Sequence, residues 1–240
     1  MSPISSSDEL LRRDELAVRL TAVRQRISVA CEAAGRDPAD VTLIAVTKTF
    51  PASDVRLLNG LGVTDFGENR DAEAAPKAMQ CADLDLTWHF IGQLQTNKAS
   101  SVVRYATFVH SVDRLRLIRA LGTAARRAQR VVQCLIEVSV DGDPARGGAV
   151  ASEVPALAEA LMAEPGLVLA GVMAIAPLGM APRAAFARLL ESAALVRALR
   201  PAAMVVSAGM SGDLEDAIAA GATHLRIGTA LLGDRGPRVR

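Results

Sequence analysis

The sequence predicts a single (β/α)8 TIM barrel preceded by an N-terminal helix, and three observations carry that expectation. Short β-rich runs alternate with helical stretches eight times. The alternation fits within 240 residues, about the ordinary length of such a barrel, and no linker, low-complexity tract or composition shift divides the chain. An open doubly wound sheet typically uses fewer strands. The expected domain is therefore 1–240 as a whole, with short flexible tails at 1–8 and 235–240.

The elements follow in order. Leu16, Leu20, Val23, Ile27, Ala30 and Ala34 recur at alternating spacings of four and three, which places them on one helical face, and Gly35 supplies a stop. Strands are expected at 41–46, 63–66, 87–91, 107–110, 132–138, 167–175, 204–206 and 223–227. Helices are expected at 54–61, 70–79, 114–129, 151–163, 183–199 and 213–220. Residues 165–182 carry no charge and approach the length of a membrane span, but Pro165, Pro177, Pro182, Gly166, Gly171 and Gly179 punctuate the run. A buried strand followed by a loop explains those breakers better.

Composition narrows the function classes. Half of the residues are hydrophobic, enough for a substantial core and too many for a disordered chain. Twenty-seven Lys and Arg against 26 Asp and Glu leave a charge of +1, so no broad positive field points to nucleic acid or an anionic membrane. Cys31, Cys81 and Cys134 are odd in number and widely spaced, which suggests neither a disulfide framework nor a zinc site. The first residues form no apolar signal core, and cytoplasmic residence is the expectation. A monomer is expected, because no long apolar stripe remains once the N-terminal helix covers the barrel.

In such a barrel the functional groups lie on the loops after the strands. Lys48 follows the first strand on the face of Thr42, Ile44 and Val46. At a barrel mouth, shielded from water, its amine suits Schiff-base chemistry, whereas at an ordinary strand end it would reach into solvent. The stretch Ser207-Ala208-Gly209-Met210-Ser211-Gly212-Asp213 leads into a helix, with Ser211 at its N-cap and glycines that let backbone amides approach an anion. Arg226 points with His224 to one face of the last strand, where it needs an acceptor, from an internal carboxylate or a ligand. Gly228 and Thr229 beyond it complete what resembles the barrel phosphate site. Asn69 caps a helix or bonds a ligand, Glu68 and Arg70 read as solvated, and His89 reads as a hydrogen-bonded core histidine. No second ligand stands at a metal spacing from His110 or His224, and no metal is expected.

Taken together, 44–51 (Ile-Ala-Val-Thr-Lys-Thr-Phe-Pro), Phe66-Gly67-Glu68-Asn69, Trp88-His89-Phe90-Ile91-Gly92 with 94–98, Ser111-Val112-Asp113, 207–211 and Arg226-Ile227-Gly228-Thr229 resemble the pyridoxal-phosphate homeostasis protein family. These separated motifs match in order from about residue 43 to 233. The resemblance implies a barrel similar to the N-terminal domain of alanine racemase, in the fold type III class, binding pyridoxal 5'-phosphate (PLP) as a Schiff base on Lys48. It implies Arg226 at the pyridine nitrogen, Asn69 near the cofactor, and Ser207, Met210, Ser211, Gly228 and Thr229 in the segments that hold the phosphate. The implied role is vitamin B6 homeostasis, with PLP released to apo-enzymes, and no catalysis beyond weak PLP-derived activity. Ala208 and Ala176-Pro177-Leu178 depart from the family pattern without removing a polar contact, and Arg146 is assigned no role.

Three other readings share these residues. A PLP-dependent racemase would need a second proton-transfer group, and the one tyrosine, Tyr105, has no reason in the sequence to face the site. A Schiff-base aldolase would use Lys48 and the same anion cradle. An empty-mouthed adaptor would need a carboxylate to pair Arg226.

Overall fold

The structure, a computed structural model, describes residues 6–143 and 146–233. Helix α1 (Ser6–Ala33) buries Leu16, Leu20, Val23, Ile27 and Ala30 of the face read from the sequence, together with Cys31, and ends before Gly35 and half-buried Ala34. Residues 6–8 of the expected tail are thus helical, and the other tail residues lie outside the described ones. Then follow β1 (Thr42–Val46), α2 (Ala52–Gly60), β2 (Asp65–Glu68), α3 (Asp71–Gln80), β3 (Thr87–Phe90), α4 (Ala99–Val102) and β4 (Phe108–Val112). The chain continues through α5 (Leu115–Ala128), β5 (Val132–Glu137), α6 (Val154–Ala163), β6 (Leu167–Met173), α7 (Pro182–Leu199), β7 (Val205–Ser207), α8 (Leu214–Ala220), β8 (His224–Ile227) and α9 (Thr229–Leu232).

The eight strands pair in parallel, each with the next, and β8 closes on β1. This is the expected barrel, with boundaries moved by one to three residues. The uncharged run at 165–182 is β6 and the loop after it, and among the described residues no helix is long and apolar enough to cross a membrane. Residues 151–153, expected as the start of a helix, form a 3-10 turn leading into α6. The four-residue α4 and α9 escaped the sequence because each is about one turn, too short to show a period.

Alternation along each strand separates two interiors. One face packs outward against the helices, joining Phe66, Trp88, Phe90, Leu225 and Ile227 to Leu117, Leu121, Phe186 and Ile218. On the inward face Leu135, Ala170 and Met173 meet Phe108 and Val205, and buried Ile44 and Val46 line β1. The same face also holds Asp65, His89, His110, Ser207, His224 and Arg226, polar groups where such barrels usually carry branched aliphatics. Helix α1 lies outside, against α2, α8 and α9. Arg12 ties it there, donating to Asp54 at 2.7 Å and to the Leu232 carbonyl at 3.1 Å.

Since Leu16 is wholly buried in that contact, Leu16→Ala is expected to cost about 2–5 kcal/mol of unfolding free energy in a urea titration. A loss below about 1 kcal/mol would mean that α1 is an appendage rather than part of the core.

Candidate functional site

The ends of β1, β7 and β8 meet at one mouth of the barrel. Ile44 pairs with Arg226 across the β1–β8 ladder, and Ser207 pairs with His224 across β7–β8. Lys48 stands two residues beyond the end of β1, and Gly228 directly follows β8. A Cβ added to Gly228 would lie 3.6 Å from the Val46 carbonyl oxygen, so the loops after β1 and β8 touch.

Lys48 is half-buried in a turn. Thr49, next to it, has φ of 72°, a conformation that a β-branched residue adopts only under constraint. The constraint is visible. The Phe50 amide donates to the Thr47 carbonyl at 3.0 Å, Lys77 Nζ donates to the same carbonyl at 2.7 Å, and the Thr49 amide donates to Glu73 Oε2 at 3.1 Å. Beneath the turn, Lys77 pairs with Glu68 Oε1, which also accepts from the Thr47 hydroxyl at 2.7 Å. Glu68, read as solvated, is fully buried, because its strand position turns it onto Thr47 and Lys77. Burial raises its pKa and the Lys77 charge opposes that rise. Arg70 is exposed as expected.

Arg226 is buried, and among the described residues its guanidinium donates to neutral acceptors, Ser207 Oγ at 2.7 Å and the Ala174 carbonyl at 2.8 Å. Burial lowers its pKa to about 10, against the through-space pull of Asp213 and Glu137, so it is a cation at neutral pH. From Ser207 the polar contacts continue inward, to His110 Nδ1 at 3.0 Å, from His110 Nε2 to His89 Nδ1 at 2.9 Å, and from His89 Nε2 to Asp65 Oδ1 at 2.9 Å. The ring of Phe108 stacks on His89, with centroids 4.7 Å apart.

The loop after β7 is built for close approach. Gly209 has φ of 90°, and a Cβ there would stand 2.6 Å from the Ala217 Cβ. Its carbonyl accepts from the Arg226 amide at 2.9 Å. Ser211 does not cap α8. That position is Asp213, whose carboxylate accepts from the Met210 amide at 2.6 Å. Ser211 Oγ instead accepts from the Ala230 amide at 3.1 Å, binding the β7 loop to α9. Met210 and Thr229 are exposed, and Gly228 is half-buried. On the opposite side, half-buried Asn69 is wedged by Gly92, where a Cβ would fall 2.1 Å from the Asn69 carbonyl oxygen. Asn69 also borders a cavity of 270 Å³ with Gln93 and Lys98.

The family model of the alanine racemase N-terminal domain matches residues 18–236. A pyridoxal phosphate homeostasis protein of Pseudomonas aeruginosa is 45% identical over 224 residues, covering 92% of this chain and 96% of that one. Its counterpart in Mycobacterium tuberculosis is 42% identical over 245 residues, covering 93% and 94%. The chain belongs to the pyridoxal phosphate homeostasis protein family. Among solved structures, that of PipY from Synechococcus elongatus with PLP bound superposes with a TM-score of 0.80 at 35% identity, covering 91% of this chain and all of that one.

Within this pyridoxal phosphate homeostasis barrel, a hydrogen bond joins Ser207 to Arg226, Ser211 reaches the segment after β8 through Ala230, and Lys48 follows the strand beside Arg226. Tyr105 bonds Asp71 at the start of α3, at 3.4 Å. Sequence reasoning missed Glu73, Lys77 and Glu137. The first two sit on a helix face with nothing to mark them. Glu137 was detectable as the one carboxylate of β5, at the end of that strand.

Two predictions follow from these environments. Removing Lys77 alone strands a buried carboxylate, so Lys77→Met is expected to cost about 3 kcal/mol in a urea titration, while Glu68→Gln with Lys77→Met recovers most of it. Equal losses in the single and double variants would rule out the pair. Burial and the Asp113 charge raise Glu137 to about 7, so the folded state binds its proton more tightly than the unfolded state does. Its contribution is therefore greatest below the unfolded pKa and falls by about 2 kcal/mol as pH rises to 8. Glu137→Gln should flatten this part of the stability profile, and an unchanged pH 5 to 8 slope would contradict the assignment.

Proposed function

We propose that the chain holds PLP at this mouth as a store and carrier of the cofactor, with Lys48 as the attachment point. One observation supports the reading above the others. A positioned lysine follows the strand beside a buried arginine that, among the described residues, bonds neutral acceptors through its guanidinium, in a chain similar throughout to a protein solved with PLP. When bound, PLP supplies an aldehyde that condenses reversibly with an amine. The Thr49 turn fixes where Lys48 presents that amine. Arg226 would face the pyridine nitrogen. The amides and hydroxyls of Ser211, in a loop that Met210 closes and where Gly209 allows close approach, and of Gly228 and Thr229 would take the phosphate, and Asn69 would border the ring. This donor set fits PLP: amine, fixed cation and amide-rich loops match its aldehyde, ring nitrogen and phosphate.

The same residues favour a carrier over an enzyme. A permanent guanidinium at the ring nitrogen discourages its protonation and leaves a weaker electron sink. Tyr105 is engaged with Asp71, so it is no ready second acid-base group. Release of PLP to apo-enzymes, residence in the cytoplasm and a monomeric state belong to the same proposal.

The test is the near-ultraviolet and visible spectrum after loading with PLP and dialysis. Wild type is expected to retain a bound-cofactor band and Lys48→Ala to lose it. Equal retention by both would overturn the assignment of Lys48.

A further inference from the structure

We propose that Asp65, His89, His110 and Ser207 form a one-way hydrogen-bond relay that spans the barrel and positions Arg226, so that the arginine at the mouth is set from the opposite rim. The PLP reading enters only in what Arg226 faces; the relay itself is read from the protein alone.

The direction is forced from both ends. Asp65 opens β2 at the far end of the barrel, and Ser207 closes β7 at the mouth. Burial works to raise the Asp65 carboxyl, but bonds from His89 and Thr64 outweigh it and hold the group below its ordinary range, so Asp65 is ionised and accepts only. Arg226 only donates. Burial holds His89 and His110 below their ordinary range, so both rings are neutral, each with one donor and one acceptor nitrogen.

Only one assignment then satisfies all four contacts. His89 donates from Nε2 to Asp65, so its Nδ1 accepts from His110 Nε2, and His110 Nδ1 accepts from the Ser207 hydroxyl. Ser207 is left with lone pairs, which accept from Arg226 Nη1. Every bond points from the guanidinium towards the carboxylate, and such aligned bonds polarise one another.

This alters the role of one residue. The single hydroxyl hydrogen of Ser207 is committed to His110, so Ser207 is a positioning residue for Arg226 rather than a phosphate donor. His89 cannot tilt out of line, because Phe108 stacks on its face and both of its nitrogens are bonded. Asp65 thereby acts on Arg226 without touching it.

The experiment is imidazole ¹⁵N NMR of the full chain at neutral pH, before and after adding PLP. Wild type is expected to show His89 and His110 as neutral rings protonated at Nε2. An Nδ1-protonated ring or an imidazolium at either position would overturn the relay. Asp65→Asn replaces an acceptor-only group with an amide that can also donate. It should give mixed tautomers at His110, which Asp65 does not touch, and Asp65→Glu should restore one tautomer. An Asp65→Asn variant with His110 unchanged would mean that Asp65 is merely a local partner of His89.

In the loaded protein, Ser207→Ala and Asp65→Asn should each weaken PLP binding roughly five- to tenfold, the scale of one net hydrogen bond. Wild-type affinity in both would overturn the positioning role. A wild type that shows the expected tautomers but binds no PLP would instead overturn the PLP reading and the role of the relay in binding. If a variant fails to fold, the wild-type tautomers still decide the direction.

Discussion

Arg226 carries a charge that almost no solvent reaches, and the layout of the mouth follows from how that charge is held. Removing an ion from water costs several kcal/mol even after the protein relaxes, and a directly bonded carboxylate is the usual remedy. Here the bonded partners are a serine hydroxyl and a peptide carbonyl, with Asp213 and Glu137 acting through space. The guanidinium therefore stays charged without being neutralised in a tight pair. A site meant to receive a ligand with an acceptor atom benefits from that arrangement, because a bonded carboxylate would compete with the ligand.

The lysine on the neighbouring strand is handled differently. Arg226 is held by polar contacts inside the barrel, whereas Lys48 is placed by the backbone around it. Thr49 is kept at positive φ by bonds from the turn, from Lys77 and to Glu73, and these rest on the buried Glu68 beneath. Strain of this kind persists only where the surroundings overdetermine it. Its position beside the candidate attachment residue ties the stability of β2 and α3 to the presentation of one amine. The presentation of that amine and the stability of the fold are thus linked through named contacts.

The barrel was legible because eight alternations of strand and helix leave a strong imprint, and the outward-facing residues fall at the periods that imprint demands. The face of α1 was readable for the same reason. Lys48, Arg226 and the glycine-rich loop after β7 could be found because charged and flexible residues at strand ends stand out. The assignment of Ser211 to a helix cap failed because two glycines and an aspartate within three residues offered competing turns, and Met210 and Asp213 closed the loop instead. Glu68 was misread because four-residue β2 is too short to reveal which way its last side chain turns. His89 was correctly read as a bonded core histidine, but its partners come from β2 and β4, a relation between strands that no single run of sequence records.

The most direct test of the central claim uses the scarcity of lysine in this chain, which has only Lys48, Lys77 and Lys98. Lys77 is buried against Glu68 and the Thr47 carbonyl, and Lys98 is exposed on the far side of the Asn69 cavity. Borohydride reduction of the PLP-loaded protein followed by peptide mapping should place the reduced adduct on Lys48, at about one per chain. An adduct concentrated on Lys98, or spread over the exposed amines with Lys48 unmodified, would contradict the account.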